Sequence, residues 1–124
     1  MAARTPEDCD RLFGEAVNRG DAAAVAALYE SGGVLTLNGG VYTGPAEIRA
    51  VLEGMVGAKA HLDMNVTKVI RGGDDVAVLY NDWHMTLTDP DGKQQQSSGK
   101  AIEIVRRQAD GTWKFVIDDP NARG

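Results

Sequence analysis

Apolar positions recur along this chain with two spacings, and the change between them falls near His61. Before it the spacing is three or four residues, as in a helix that buries one face. Leu12, Phe13, Ala16 and Val17 form such a stripe. Ahead of it Thr5 can cap, Pro6 suits the first helical position, and Glu7 and Asp8 complement the helix dipole. The stripe runs out at Asn18-Arg19-Gly20. Asp21 then caps a second predicted helix, Ala22 to Glu30, with Val25, Leu28 and Tyr29 on one side. Gly32-Gly33 breaks it, Val34 to Asn38 reads as a short strand, and Val41-Tyr42 pairs briefly after the Asn38-Gly39-Gly40 turn. Gly44-Pro45-Ala46-Glu47 opens a third helix, carried by Ile48, Val51, Leu52, Met55 and Val56.

From His61 onward the pattern is extended. Val66 to Ile70 is a predicted strand, Gly72-Gly73-Asp74-Asp75 a turn, and Val76 to Leu87 a long strand. Asp89-Pro90-Asp91-Gly92 turns the chain into a closing hairpin, Gln94 to Asn121. Its strands, Ser97 to Gln108 and Thr112 to Asp119, flank Ala109-Asp110-Gly111-Thr112. An Asp-Gly pair between alternating runs is a strong hairpin signal, because primed turns need positive φ. A two-residue turn sets Ala109 opposite Thr112, Val105 opposite Val116 and Glu103 opposite Asp118. Like charges directly opposite destabilise a sheet, so such a pair is either solvated or buried and tuned. On alternation alone Ile102, Ile104, Phe115 and Ile117 read as the core face. Glu103 and Asp118 then read as a solvated pair eased by Lys100 or Lys114.

Three helices followed by a four-stranded antiparallel meander predict an α+β domain, with the helices on one face of a curved sheet. A concave space between the layers is a natural pocket. The 124 residues suffice for one domain, 1–124, with a hydrophobic core. A net charge of −5 argues against nucleic acid or an anionic membrane as partner. Nothing approaches the apolar length of a membrane span, and the amino terminus lacks a signal peptide's apolar region. The single cysteine, Cys9, cannot form an internal disulfide, which fits the cytoplasm.

Several segments resemble the nuclear transport factor 2-like superfamily, in particular its SnoaL-like and ketosteroid-isomerase-like branches. They are Phe13 to Asp21 (FGEAVNRGD), Leu28-Tyr29, Tyr42 to Ile48 (YTGPAEI) and Gly111 to Asn121 (GTWKFVIDDPN). The resemblance implies the cone-shaped fold and a pocket. It does not imply one reaction, because the superfamily holds isomerases, cyclases, dehydratases, hydrolases and non-catalytic assembly domains. The isomerase tyrosine falls at Phe13, which has no hydroxyl, and the isomerase base falls at Leu37. The protonated acid falls near Glu103. Polyketide cyclases of the superfamily use an acid on a late strand, a role open to Asp118 or Asp119.

Glu103 and Asp118 are therefore the candidate catalytic pair. Burial and a like charge both favour the neutral form of a carboxyl group, so one could donate a proton while the other accepts. The resemblance turns Asn81, Trp83 and Met85 toward the cavity and leaves His84 exposed or facing a partner. Trp83, Asn81, Tyr29, Phe13 and Leu37 are the expected ligand-binding residues. His61 and His84 have no metal-ligand spacing, so no metal and no cofactor are expected. The expected partners are an apolar small molecule and a second copy of the chain, docked through the sheet. Two functions stay open: a cofactor-free isomerase or cyclase acting on a carbonyl-bearing substrate, and a non-catalytic binding or assembly domain.

Overall fold

The structure, a computed structural model, describes residues 2–124. Helix α1 spans Pro6–Asn18, with Thr5 accepting the Asp8 amide as its cap. Helix α2, Ala22–Ala26, is capped by Asp21, and α3 spans Pro45–Gly57. The strands are β1 (Tyr29–Leu37), β2 (Gly40–Thr43), β3 (His61–Asp63), β4 (Val66–Gly72), β5 (Val76–Thr88), β6 (Gln94–Arg107) and β7 (Trp113–Asp119). Their order is β2-β1-β7-β6-β5-β3, with β4 also on β5. The sheet of seven strands is open, curved and mixed, since β1 runs parallel to β7. This is the expected α+β cone, with one parallel pair that the meander reading did not contain. Among the described residues, no helix is long and apolar enough to cross a membrane.

The second helix stops four residues before the predicted Glu30, and Tyr29 belongs to a strand. Tertiary pairing overrides the helical spacing here. The Phe115 amide donates to the Leu28 carbonyl at 2.8 Å, and Tyr29 pairs with Phe115. The ladder is then irregular until Val34. A Cβ on Gly33 would lie 2.9 Å from the Phe115 carbonyl oxygen, so this bend requires glycine.

The closing hairpin contains two irregularities that cancel. Its loop is three residues long, Ala109 to Gly111, rather than two. The Gly111 amide donates to the Gln108 carbonyl and the Gln108 amide to the Thr112 carbonyl. Gly111 has φ +85°, the left-handed residue such a loop needs. The longer loop pairs Val105 with Phe115, not with Val116. Val116 is then the extra residue of a β-bulge, after which Ile104 meets Ile117 and Glu103 meets Asp118. The predicted opposition of the acids is real, but two offsets produce it. The bulge also turns Phe115 to the same side as Asp118, although the two are three residues apart. The inner, helix-facing side of the hairpin thus carries Ala101, Glu103, Val105, Trp113, Phe115 and Asp118, all buried. Ile102, Ile104 and Ile117 face outward, the reverse of the core face read from alternation.

The core lies between α1, α3 and this inner side. Phe115 is fully buried between Phe13, edge-on at 6.0 Å, and Tyr29, tilted at 5.1 Å.

Candidate active site

Sheet register sets two acids in the middle of an apolar row. Leu79 on β5 stands beside Glu103 on β6, Glu103 beside Asp118 on β7, and Asp118 beside Leu35 on β1. All four are buried, Glu103 at 2% and Asp118 at 3% exposure. Both acids line a cavity of about 70 Å³ between the sheet, α1 and α3. Its walls are Phe13, Leu35, Leu37, Leu52, Met55, Leu62, Met64, Trp83, Met85 and Pro120. Asn81 is its one neutral amide, and no lysine or arginine reaches it.

The two carboxyl groups are held differently. The Tyr29 hydroxyl, wholly buried, donates to Asp118 Oδ2 at 2.5 Å. Burial, then the Glu103 charge, holds the Asp118 carboxyl well above its usual range, and the Tyr29 bond pulls the other way. Glu103 Oε2 accepts from Asn81 Nδ2 at 3.3 Å, while Oε1 is buried with no donor. Asn81 is itself fixed, because its Oδ1 accepts the Asn65 amide at 2.9 Å.

Glu103 has a second acidic neighbour, Asp10 on α1. Asp10 is 1% exposed, and neither of its carboxyl oxygens meets a donor. The Asp10 and Glu103 carboxyl groups lie within hydrogen-bond distance. Two carboxylates cannot bond to each other, so the contact forms only when one carries a proton. Burial first, then the bond to Asp10, pushes Glu103 well above the carboxylate range. Burial also raises Asp10, to about 7, against the lowering effect of the Glu103 bond. The buried Cys9 thiol beside them is pushed up chiefly by burial.

Of the residues singled out in the sequence, Phe13, Leu37, Asn81, Trp83, Glu103 and Asp118 line one cavity. Tyr29 does not line it; its ring packs behind, on Phe115, and only its hydroxyl reaches Asp118. Trp83 is anchored by its indole N–H, which donates to the Pro120 carbonyl at 2.7 Å. His84 points outward and is exposed, and His61 is exposed beside Asp63. Asp10 was not anticipated, because an acid following the first-turn Glu7 and Asp8 reads as part of a solvated helix start. Its phase holds the missed signal: it lies three residues before Phe13 and seven before Val17, on the apolar stripe. Among the described residues no group of His, Cys, Asp and Glu is arranged to hold a metal.

A family model described as the SnoaL-like domain matches residues 10–116. Among solved structures, a Xanthomonas campestris domain, described in provisional terms as a calcium/calmodulin dependent protein kinase II association domain, is 25% identical. It has a TM-score of 0.77, over 90% of this chain and 82% of that one. A ketosteroid isomerase-like protein from Erwinia carotovora atroseptica is 22% identical at a TM-score of 0.80, over 91% and 89%. A nuclear transport factor 2-like superfamily protein from Salmonella enterica serovar Typhimurium is 19% identical at 0.79, over 94% and 89%. No curated protein matches.

Proposed function

Because the chain belongs to the SnoaL-like domain family, we propose that it is a cofactor-free proton-transfer enzyme, an isomerase or cyclase acting on a small, apolar, carbonyl-bearing molecule. One observation carries this reading: two buried carboxyl groups face an apolar cavity with no cationic side chain beside them. Such groups need a reason to be there, since removing carboxyl groups from water is costly unless they are neutral or engaged.

The roles follow from the different partners. Asp118 is the base, because the Tyr29 hydroxyl supports its charged form. It takes the proton from a carbon next to the carbonyl. Glu103 is the acid and protonates the oxygen on which charge develops, so the substrate passes through a neutral enol. Return of the proton from Asp118 to a different carbon, with the oxygen proton going back to Glu103, re-forms the carbonyl and completes an isomerisation. Asn81 fixes the orientation of Glu103, and Phe13, Leu37 and Trp83 exclude water around the substrate. The likeness to a ketosteroid isomerase-like protein supports the reaction class. Phe13 and Leu37 depart from the isomerase pattern and argue for a different substrate.

The partner of the other sheet face is a second copy of this chain. Ile70, Val78, Ile104, Ile117 and Val34 form one outward row across β4, β5, β6, β7 and β1. Ile70 and Ile117 are 43% and 41% exposed. A contiguous apolar row of that length suits an isologous interface. The row equally serves a second reading, a non-catalytic assembly domain. A cytoplasmic setting is consistent with the free Cys9.

NMR titration of the side-chain carboxyl groups separates the two readings. The enzyme reading expects Glu103 and Asp118 to titrate high and coupled. Asp118→Asn should leave Glu103 raised, since burial and Asp10 hold it up, and abolish deuterium exchange into a small cyclic ketone. Binding of that ketone should survive. Two ordinary, uncoupled titrations in the wild type leave the assembly domain.

A further inference from the structure

Asp10 has no part in the roles just assigned, yet it is buried against the acid that has one. It also touches a second hollow. Between α1 and β3, next to the cavity, Asp10, Gly14 and Asn18 form one wall of a surface groove whose other wall is β3 and the start of β4. Leu62 and Met64 line both the groove and the inner cavity. The partition between solvent and cavity is therefore one side chain thick, and Asp10 and Glu103 lie in it.

Local structure keeps the groove in shape. Asn18 clamps β3 through two bonds, its Nδ2 donating to the Leu62 carbonyl and its Oδ1 accepting the Leu62 amide. Gly14, one turn after Asp10, carries no Cβ; one placed there would sit 3.2 Å from Met64 Cγ and 3.8 Å from the Leu62 carbonyl oxygen. The absence of a side chain at Gly14 lets helix and strand approach without filling the space outside Asp10.

We propose that Asp10 is the proton gate of the cavity, a relay residue that passes protons between Glu103 and water in the groove beneath α1. The inference rests on Glu103 acting as an acid. When Glu103 gives its proton to a substrate oxygen it becomes a carboxylate beside Asp10. The oxygen proton comes back to Glu103 as the carbonyl re-forms, and between turnovers Glu103 exchanges it with groove water through Asp10, so no net proton is consumed. The buried carboxyl oxygens of the pair that lack donors are the ones such a chain uses. Asp10 also titrates near 7, where a group can both give and take a proton.

The groups facing Asp10 are few. Glu103 approaches it from β6, and the Asp118 charge acts on it from β7. Tyr29 feels its charge from β1, and Cys9 adjoins it on α1. Glu7, Arg11, Glu15 and Asp63 rim the groove. Arg11 is engaged by Asp8 and Glu15 and does not pair with Asp10.

Infrared spectroscopy of the full-length protein after rapid mixing into heavy water reads the gate directly, as the rate at which the protonated Glu103 carboxyl band shifts. Glu103→Gln identifies that band, and the pH is set where Glu103 is protonated in every variant. Asp10→Asn should slow the shift about tenfold or more, because exchange then waits for local opening of the α1–β3 packing. Gly14→Ala keeps every carboxyl group and fills the groove mouth, so it should slow the shift while Glu103 titrates as before. It also tests the gate if Asp10→Asn does not fold. Unchanged exchange rates in the folded variants overturn the gate. If Asp10→Asn moves only the Glu103 titration and not the rate, Asp10 is merely a structural neighbour. A wild-type Glu103 that titrates ordinarily removes the acid itself, a failure distinct from that of the gate.

Discussion

The two faces of the closing hairpin depart from the usual division of residues at a few positions. The inner face holds Glu103 and Asp118 at 2% and 3% exposure, while Ile117, one residue from Asp118, is 41% exposed on the outer face. Burying apolar surface stabilises a fold, and burying acids costs free energy. A hairpin built for stability alone would carry apolar residues in place of the two acids. The inner face accepts the cost of two acids among its apolar neighbours, and the outer face leaves apolar surface in water.

The sharpest test of that contrast is to truncate one large apolar residue on each side. Phe115→Ala should destabilise the protein by about 3–5 kcal/mol, since it opens a hole between Phe13 and Tyr29. Ile117→Ala should change monomer stability by far less. Denaturant unfolding of both variants measures the gap, and similar losses would break the comparison.

The acids should reveal themselves through pH. The native-state value of Asp10 is about 7 against an ordinary 3.8. The native state thus binds more protons than the unfolded chain between these values. The resulting stabilisation is complete below the lower value and lost as pH rises through the upper one. Glu103 and Asp118 are raised as well and act in the same direction. The unfolding midpoint should therefore be higher near about pH 5 than near about pH 8, and Asp10→Asn should flatten the difference. A midpoint that rises over that interval contradicts the burial of charge.

Removing one donor is a gentler probe. Tyr29→Phe keeps the ring on Phe115 and deletes the hydroxyl that Asp118 accepts from, at a cost of about 1–3 kcal/mol. Asp118 loses a partner of its charged form, so its titration should move further up, visible in the same NMR experiment. On the outer face, Ile117→Lys should alter monomer stability by less than about 0.5 kcal/mol and yet abolish the proposed dimer in sedimentation. A dimer that survives the lysine relocates the interface.

Much of this architecture was legible in the sequence, but unevenly. Caps and spacing announced α1 and α3 because those signals are local. The end of α2 was not legible, since Tyr29 leaves the helix to pair with Phe115, 86 positions away. Opposition of Glu103 and Asp118 was legible only because the longer loop and the Val116 bulge offset each other. Their facing was not: alternation fixes which residues share a side, whereas the position of the helices decides which side is inner. Asp10 stayed hidden because its partner is on a distant strand.

The anchored indole of Trp83 has a practical consequence. Its ring lines the cavity while its N–H is held by Pro120. The chain's other tryptophan, Trp113, is buried away from the cavity under the Arg71 guanidinium. The protein thus carries its own optical gauge: emission from Trp83 responds to what fills the cavity, and Trp113 serves as the internal standard. Ligands can be ranked by fluorescence before any turnover is found, with Trp83→Phe as the blank.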